Sequence, residues 1–244
     1  MKIILVIFLI LLLVGGCTNT YTWGWYVINP KLDNGYTNIR FLLSGLNVTL
    51  IISLLSIFFS LIIGFLIALL GLSKNKFLKA FNRTYIEVFR SIPLLVLLLW
   101  VYYGLPIIFG ISLGPFITGI ISLALSDSAF EAEIFRAGIQ SIHKGQRDAA
   151  QSIGLNKYQA MRLIIFPQAL RIILPAIGNQ FIYVVKMSSL VSIIGLADLT
   201  RKANELVVSV YRPLEIYTFL VIEYLILILI ISYLVRKLEN KLKY

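Results

Sequence analysis

Long apolar runs separated by short polar clusters dominate the chain. A helix needs about 20 largely apolar residues to cross the hydrocarbon core of a bilayer. Four stretches meet this requirement: Leu43–Leu72, Val88–Phe109, Pro115–Phe135 and Pro213–Val235. A fifth, Ile172–Ile194, is apolar but carries Pro175, Asn179, Gln180 and Lys186, so neighbouring helices should partly shield it from lipid. The pattern predicts an all-α membrane protein with about five transmembrane helices.

The positions of Lys and Arg predict how these helices are oriented, because basic residues collect in cytoplasmic loops. Basic residues concentrate in Lys74–Arg90, in Arg136–Arg171 and in the tail that begins at Arg236, whereas the connection Gly110–Gly114 carries no charge. We therefore expect the two basic loops and the C-terminus in the cytoplasm. With five spans, the N-terminal segment then lies outside.

The first 17 residues have the length of a signal sequence. Lys2 precedes the apolar run Ile3–Val14, which is short for a span, and Gly15-Gly16-Cys17 follows. Two interpretations stand: a lipoprotein-like signal in which Cys17 becomes the acylated N-terminus, or an uncleaved signal anchor. Either one delivers residues 18–42 to the outer side as an external segment, followed by a transmembrane domain over residues 43–240.

Composition excludes several classes of protein. The net charge is +11, but 59% of the residues are hydrophobic and the basic residues fall between apolar runs, which favours membrane topology over nucleic-acid binding. One cysteine and one histidine allow neither an internal disulfide nor a Cys/His metal cluster. The sequence has no GxxxxGK[ST] phosphate loop, no GxSxG and no HExxH motif. We expect no enzyme activity, no metal and no cofactor.

The basic segment of residues 137–167 is predicted to be helical rather than disordered. Lys144–Gln146 is interpreted as a break, followed by a short helix from Asp148 to Ile153 that Gly154 ends. Asn156 is a suitable cap for a second helix running from Lys157 toward Phe166, and Pro167 should bend the chain. Two short helices displayed beneath the membrane form a knob suited to docking into another protein.

At this point the sequence resembles a known family. "DAAQSIG", nine residues and then "IIFP" resemble the EAA loop of ABC importer permeases, in which EAA is followed by three residues, Gly, nine residues and I-x-L-P. Asp148 replaces the usual Glu and Phe166 the usual Leu. The stretches "YIEVFRSIPLL", "AFEAEIFRAGI" and "VKMSSL" resemble the polar amino-acid subfamily. Met187-Ser188 replaces the Asp-Thr of that subfamily, which leaves the ligand open among glutamine, arginine, histidine or similar amino acids.

The resemblance implies alternating access in the bacterial cytoplasmic (inner) membrane. Its expected partners are a separate ABC ATPase subunit, an extracytoplasmic solute-binding protein and a second permease subunit, identical or different. The ATPase would receive the loop residues Gly145, Gln146, Arg147, Asp148, Ala149, Ala150 and Gly154, with Gly154 at a close helix crossing. The alternative is that Gly154 merely ends a helix and that the charges are solvated.

Polar residues within the predicted spans are candidates for the substrate pathway, because charges near the bilayer centre are costly. They are Asp127, Glu131, Asn179, Gln180, Lys186, Ser188 and Ser189. Asp127 and Glu131 lie one helical turn apart, so a cation should sit nearby, and Lys186 is the expected partner. The alternative for each residue is adhesion between helices. A secondary transporter and a lipid-anchored scaffold without transport remain as alternative functions.

Overall fold

The computed structural model describes residues 21–242, which form helices and turns and contain no strand. The helices are α1 (Asp33–Leu43), α2 (Leu46–Leu72), α3 (Lys76–Ser91), α4 (Leu94–Phe109), α5 (Pro115–Gln140), α6 (Lys144–Ser152), α7 (Lys157–Ile194), α8 (Leu199–Val210) and α9 (Pro213–Leu242). A short 3₁₀ turn, Trp25–Ile28, precedes α1. The predicted all-α fold is confirmed.

Among the described residues, fewer helices qualify as membrane spans than the five that were predicted. Three helical stretches are long and apolar enough to cross a membrane: Asp33–Leu72, Lys157–Ile194 and Pro213–Lys241. The bent pair α3 and α4 adds a fourth if it counts as one span. Helix α5 has 26 residues but is too polar to meet the same test, because it carries Asp127, Glu131 and Glu133. A polar helix at this depth needs protein around it rather than lipid.

Helices α2 and α5 share the most extensive helix–helix contact in the described part of the chain. They run parallel, since Ile52 lies opposite Gly119 and Gly64 lies opposite Glu131. A Cβ on Gly64 would stand 2.6 Å from the Glu131 Cβ and 2.9 Å from the Ser128 carbonyl oxygen. We call this contact the seam. Its buried small and hydroxyl residues, which allow two membrane helices to approach closely, include Thr49, Ser53, Ser56, Ser60, Gly64, Thr118, Gly119, Ser122 and Ser126.

The predicted span Val88–Phe109 is wrong as a single straight helix. Helix α3 ends at Ser91, and α4 begins at Leu94 after a bend of 96°. Pro93 explains the break, because the residue before a proline is disfavoured in the α conformation and Ile92 is extended. Val88 therefore belongs to α3, which runs almost at right angles to α4.

Pro167 does not interrupt its helix, so the helix that begins at Lys157 continues past the predicted end near Phe166. Lys157–Ile194 forms one 38-residue helix, within which Met161–Ile165 winds as a π-helical turn and Ser188–Ile194 as a 3₁₀ turn. Pro167 lies in the first turn of the α-helical part that follows the π turn, where its missing N–H has no α-helical bond to lose. Ile172–Ile194 is thus the second half of a longer element.

The segment before α2 folds onto the far end of the chain. Val27 and Leu42 are buried together with Leu206 of α8 and Ile216 of α9. The Glu215 carboxylate accepts from the Gly24 amide and from the Tyr21 hydroxyl, and Arg212 donates to the Thr22 carbonyl. Residues 21–43 are therefore tied to the α8–α9 corner. Cys17 and the preceding signal-like run lie outside the described residues.

Candidate functional site

Helix α6 begins and ends with defined caps. His143 is its N-cap, and the His143 Nδ1 accepts from the Gly145 amide at 3.1 Å. The predicted break at Lys144–Gln146 is wrong for this reason: the cap starts the helix one turn earlier and places the break at residues 141–143. At the other end, the Gly154 amide donates to the Gln151 carbonyl and the Leu155 amide to the Ala150 carbonyl. This is the Schellman pattern, and Gly154 takes the positive φ of +83° that it requires.

The loop residues of the predicted docking set divide into an outer and an inner group. Gly145, Gln146, Asp148 and Ala149 are exposed, whereas Ala150 is fully buried. Arg147 turns inward, and its Nη2 approaches the Ile139 carbonyl oxygen at 3.5 Å. Asp148 is therefore the exposed charge that faces outward from this turn of α6.

No close helix crossing surrounds Gly154 within the described chain. A Cβ built there would meet no atom within 4 Å. The glycine is required by its left-handed backbone conformation, so close packing at this position could come only from another subunit.

The helix that follows the loop is capped as predicted. The Asn156 side chain accepts from the Gln159 amide, and the Gln159 side chain accepts from the Asn156 amide, which forms a capping box. Sequence reasoning missed two large apolar side chains beside this turn. Ile153 is 72% exposed and Tyr158 is 71% exposed. Two such residues on one exposed corner favour a contact surface for another protein.

The seam determines the surroundings of Asp127. The Asp127 carboxylate accepts from the Ser60 hydroxyl of α2 at 2.5 Å and from the Gln180 amide of α7 at 2.5 Å. Three helices therefore meet at one buried carboxylate. Gln180 and Asp127 are hydrogen-bonded across helices, an arrangement that fits the adhesion alternative.

Glu131 is the other buried acid, and Lys186 does not pair with it. Glu131 is fully buried, and neither carboxylate oxygen has a hydrogen-bond partner. Among residues 21–242 no ion pair joins Lys186 to Asp127 or Glu131, since Lys186 is exposed on another face of α7. The predicted charge partnership is therefore wrong. Helix periodicity explains why: α7 presents Gln180 and Lys186 on different sides.

The remaining pathway candidates fall on two sides of α7. Asn179 and Lys186, seven residues apart, are exposed on one side of the helix. Lys186 and Ser189 line a cavity of about 400 Å³ together with Tyr224 of α9. Ser188 is fully buried and donates to the Val185 carbonyl. Exposed polar groups on an apolar helix disfavour contact with lipid, so this face of α7 fits a water-filled path or another subunit.

Several structural residues were not identified from the sequence. Asn82 is buried and donates to the Ile67 carbonyl, which holds α3 against α2. Asp198 caps α8 by accepting from the Arg201 amide. The Asp198 cap could have been found, because an acidic residue directly before a helix with a polar first turn is a standard start signal.

Comparisons with known proteins extend these observations. The family described as binding-protein-dependent transport system inner membrane component matches residues 60–244. The glutamine transport system permease protein GlnP of Escherichia coli strain K12 is 35% identical over 206 residues, which cover 84% of this chain and 94% of that protein. The crystal structure of an amino acid ABC transporter with histidines has a TM-score of 0.83 at 39% identity, and the match covers 91% of this chain and 100% of that one. An inward-facing structure of the MetNI methionine ABC transporter, with a TM-score of 0.75 at 22% identity, covers 85% of this chain and 99% of that chain and shares the fold.

Proposed function

The chain belongs to the family of binding-protein-dependent transport system inner membrane components, and from that membership we propose that it carries polar amino acids into the cytoplasm. It is the multi-pass permease subunit of an ABC importer. Glutamine and similar amino acids are the proposed substrates, because the relatives at 35% and 39% identity are named for glutamine and for amino acid transport. ATP hydrolysis is assigned to a separate subunit.

The proposed coupling site is the outer surface of α6 and the turn that follows it. The main support for this site is that Asp148 and Ala149 are exposed on the outer side of α6. On the inner side, the buried Ala150 and the inward-pointing Arg147 fix the helix to the rest of the chain. Gln146 also accepts from the Gln168 amide of α7 at 3.2 Å, so a push on α6 reaches a long membrane helix directly. This arrangement suits transmission of movement from an ATPase to the membrane domain.

The proposed pathway runs along the exposed polar face of α7, between this chain and a second permease subunit. Asn179, Lys186 and Ser189 offer an acceptor, a cation and a hydroxyl. An amino acid has both an ammonium and a carboxylate, and Lys186 suits the carboxylate. Asp127, Glu131 and Ser188 are buried in the protomer and Gln180 is half-buried, so their proposed role is to hold α7 in place behind that face.

The proposed orientation puts α6 and the C-terminus in the cytoplasm and residues 21–43 outside. The concentration of Lys and Arg supports it. The partner that delivers the amino acid, a solute-binding protein, would then meet the side that carries the α8–α9 corner. Acylation of Cys17 is a separate proposal, which mass spectrometry of the purified chain would test.

Reconstitution tests this function. The chain is purified with its ATPase subunit, placed in vesicles and supplied with the binding protein and radiolabelled glutamine. We expect uptake that requires ATP and is abolished by the non-hydrolysable analogue. Uptake driven by an ion gradient without ATP would support the secondary-transporter alternative, and uptake unchanged after deletion of the chain from cells would support the scaffold.

A further inference from the structure

A second candidate binding site lies between α6, the end of α2 and the beginning of α7. Helix α2 ends at Leu72 and α7 begins at Lys157, and both belong to the helices long and apolar enough to cross a membrane. A cavity of about 310 Å³ opens between them. Because the predicted apolar span of α2 ends at Leu72, the wall that α2 contributes lies at the end of the hydrocarbon region.

All charged side chains that line this cavity are basic. Its lining includes Lys74, Arg147 and Lys157, together with Gln151, and contains no carboxylate. No ion pair within residues 21–242 involves any of these three cations. The Arg147 Nε is buried and has no hydrogen-bond partner. Three cations with no carboxylate among them repel one another, so a bound anion would lower the electrostatic energy of the cavity.

The rest of the lining is apolar, which decides the kind of anion. Leu72, Met161 and Ile165 form the other wall. A small dissolved anion would gain nothing from that wall, whereas an amphiphile would place its charged group on the cations and its glycerol and acyl carbons on the apolar side. Basic pockets between membrane helices on the cytoplasmic side suit anionic lipid head groups.

A larger neighbouring cavity serves as a comparison, because its lining contains acidic as well as basic side chains. It measures about 650 Å³ and is lined by Arg83, Arg90 and Arg136, but also by Glu87 and Glu133. Both acids are already paired, Glu87 with Arg83 and Glu133 with Arg90. The larger cavity thus neutralises part of its own charge, and the smaller one does not.

We propose that the cavity lined by Lys74, Arg147 and Lys157 binds the phosphate of an anionic phospholipid from the cytoplasmic leaflet and that the bound lipid braces α6 during coupling. The proposal rests on the transport function and the orientation proposed above. The lipid would stand between the end of α2 and the inner side of α6, opposite the face offered to the ATPase.

The test uses the complete complex of permease, ATPase and binding protein in nanodiscs. The discs contain phosphatidylcholine with an increasing share of phosphatidylglycerol, and the measurement is ATP hydrolysis stimulated by the binding protein. We expect stimulation to rise with phosphatidylglycerol. The double variant Lys74→Gln, Lys157→Gln should raise the share needed for half-maximal stimulation about fivefold for each charge removed, the factor that corresponds to about 1 kcal/mol per basic residue. Native mass spectrometry should show less phosphatidylglycerol retained by the variant.

Lys79→Gln is the matched control, because it removes the same charge from the neighbouring, larger cavity. It should leave the lipid dependence unchanged, and an equal shift would mean diffuse surface charge and overturn the site. Discs of phosphatidylcholine with inorganic phosphate in solution should not restore stimulation, and restoration would overturn the lipid as occupant. Equal stimulation of the unsubstituted complex in neutral and anionic discs would overturn the proposal while leaving the transport function intact. Absence of stimulation in every disc, with retained phosphatidylglycerol equal in the double variant and the unsubstituted complex, would overturn both.

Discussion

The seam between α2 and α5 and the loop around α6 differ in where their polar groups lie: the seam buries them, and the loop exposes them. In the seam, Ser60, Asp127 and Gln180 satisfy one another in the interior. In the loop, Asp148 is exposed and its carboxylate has no hydrogen bond or ion pair among residues 21–242, and the apolar side chains of Ile153 and Tyr158 are exposed. The hydrogen bonds of Asp127 are made within one chain, whereas the exposed groups of the loop are proposed to meet a partner. Substitutions in the seam should therefore change stability, and substitutions in the loop should change coupling.

The largest expected effect is loss of transport on charge reversal in the loop. Asp148→Arg should abolish ATP-dependent uptake, because the charge reverses on the surface proposed to meet the ATPase. The melting temperature and membrane insertion should not change, since the side chain is exposed. Uptake in vesicles and thermal denaturation of the purified chain measure the two effects.

Asp33→Arg is the control, because Asp33 is also exposed but lies in α1, far from α6 in the sequence. It should keep most of the uptake. Normal transport by Asp148→Arg would remove the main support for the docking role.

The second effect separates backbone strain from contact with a partner. Gly154→Leu should reduce copurification of the ATPase at least tenfold, equivalent to about 1.4 kcal/mol, because nothing within the chain fills the space around this residue. The positive φ of +83° adds local strain of about 1–2 kcal/mol.

Gly110→Leu carries the same kind of strain, at φ +67° and also with open space around it, in the connection between α4 and α5. It should leave the complex intact. Equal losses from both variants would attribute the effect to strain and would reject close packing at Gly154.

The contrast between the two regions also explains how much could be predicted from the sequence. The docking loop could be identified because Asp148, Gly154 and Pro167 occupy fixed spacings, and the Asn156 cap follows from local chemistry. The helix start at His143 was missed because a histidine cap is an uncommon signal. These are local properties that a few neighbouring residues determine.

The interior could not be predicted in the same way. That Asp127 is polar within a span was evident, but its partners Ser60 and Gln180 are 67 and 53 residues away along the chain. Lys186 was the expected partner because charge was the only available criterion, whereas the rotation of α7 determines the contact. The bend between α3 and α4 was missed for a related reason: apolar composition continues through Pro93 although the direction of the chain does not.

The third effect concerns stability in the seam. Ser60→Ala removes a donor to the Asp127 carboxylate and leaves a buried oxygen without a partner, which should lower the free energy of unfolding by about 1–3 kcal/mol. Thermal denaturation in detergent measures the loss.

Ser152→Ala is the matched change in the loop, where the hydroxyl is exposed and donates only to the Asp148 carbonyl within its own helix. It should shift stability by less than about 0.5 kcal/mol. A loss as large as that of Ser60→Ala would contradict the division between stabilising hydrogen bonds at Asp127 and a loop that depends on a partner.

The smallest effect compares two helix caps of the same kind. Asp198 caps α8 where Thr49, near the N-terminal end of α2, accepts from the Leu199 amide, and Asn156 caps α7 beside the loop. Replacing either with alanine should cost about 1 kcal/mol. Only the buried cap should depend on pH, since burial raises the pKa of the Asp198 carboxyl from 3.8 to about 6.

The folded state binds this proton more tightly than the unfolded state does, so the Asp198 contribution to stability is largest below pH 4 and falls as pH rises to about 6. Asp198→Asn keeps the oxygen that accepts from the Arg201 amide and removes the charge. The difference in stability between Asp198→Asn and the unsubstituted chain, measured by thermal denaturation, should therefore increase between pH 4 and 6 and stay constant above pH 6. Asn156→Asp, at the exposed cap, should show no such growth over the same range, because water solvates its charge. A parallel pH dependence for the two variants would mean that burial does not distinguish the Asp198 cap from the Asn156 cap.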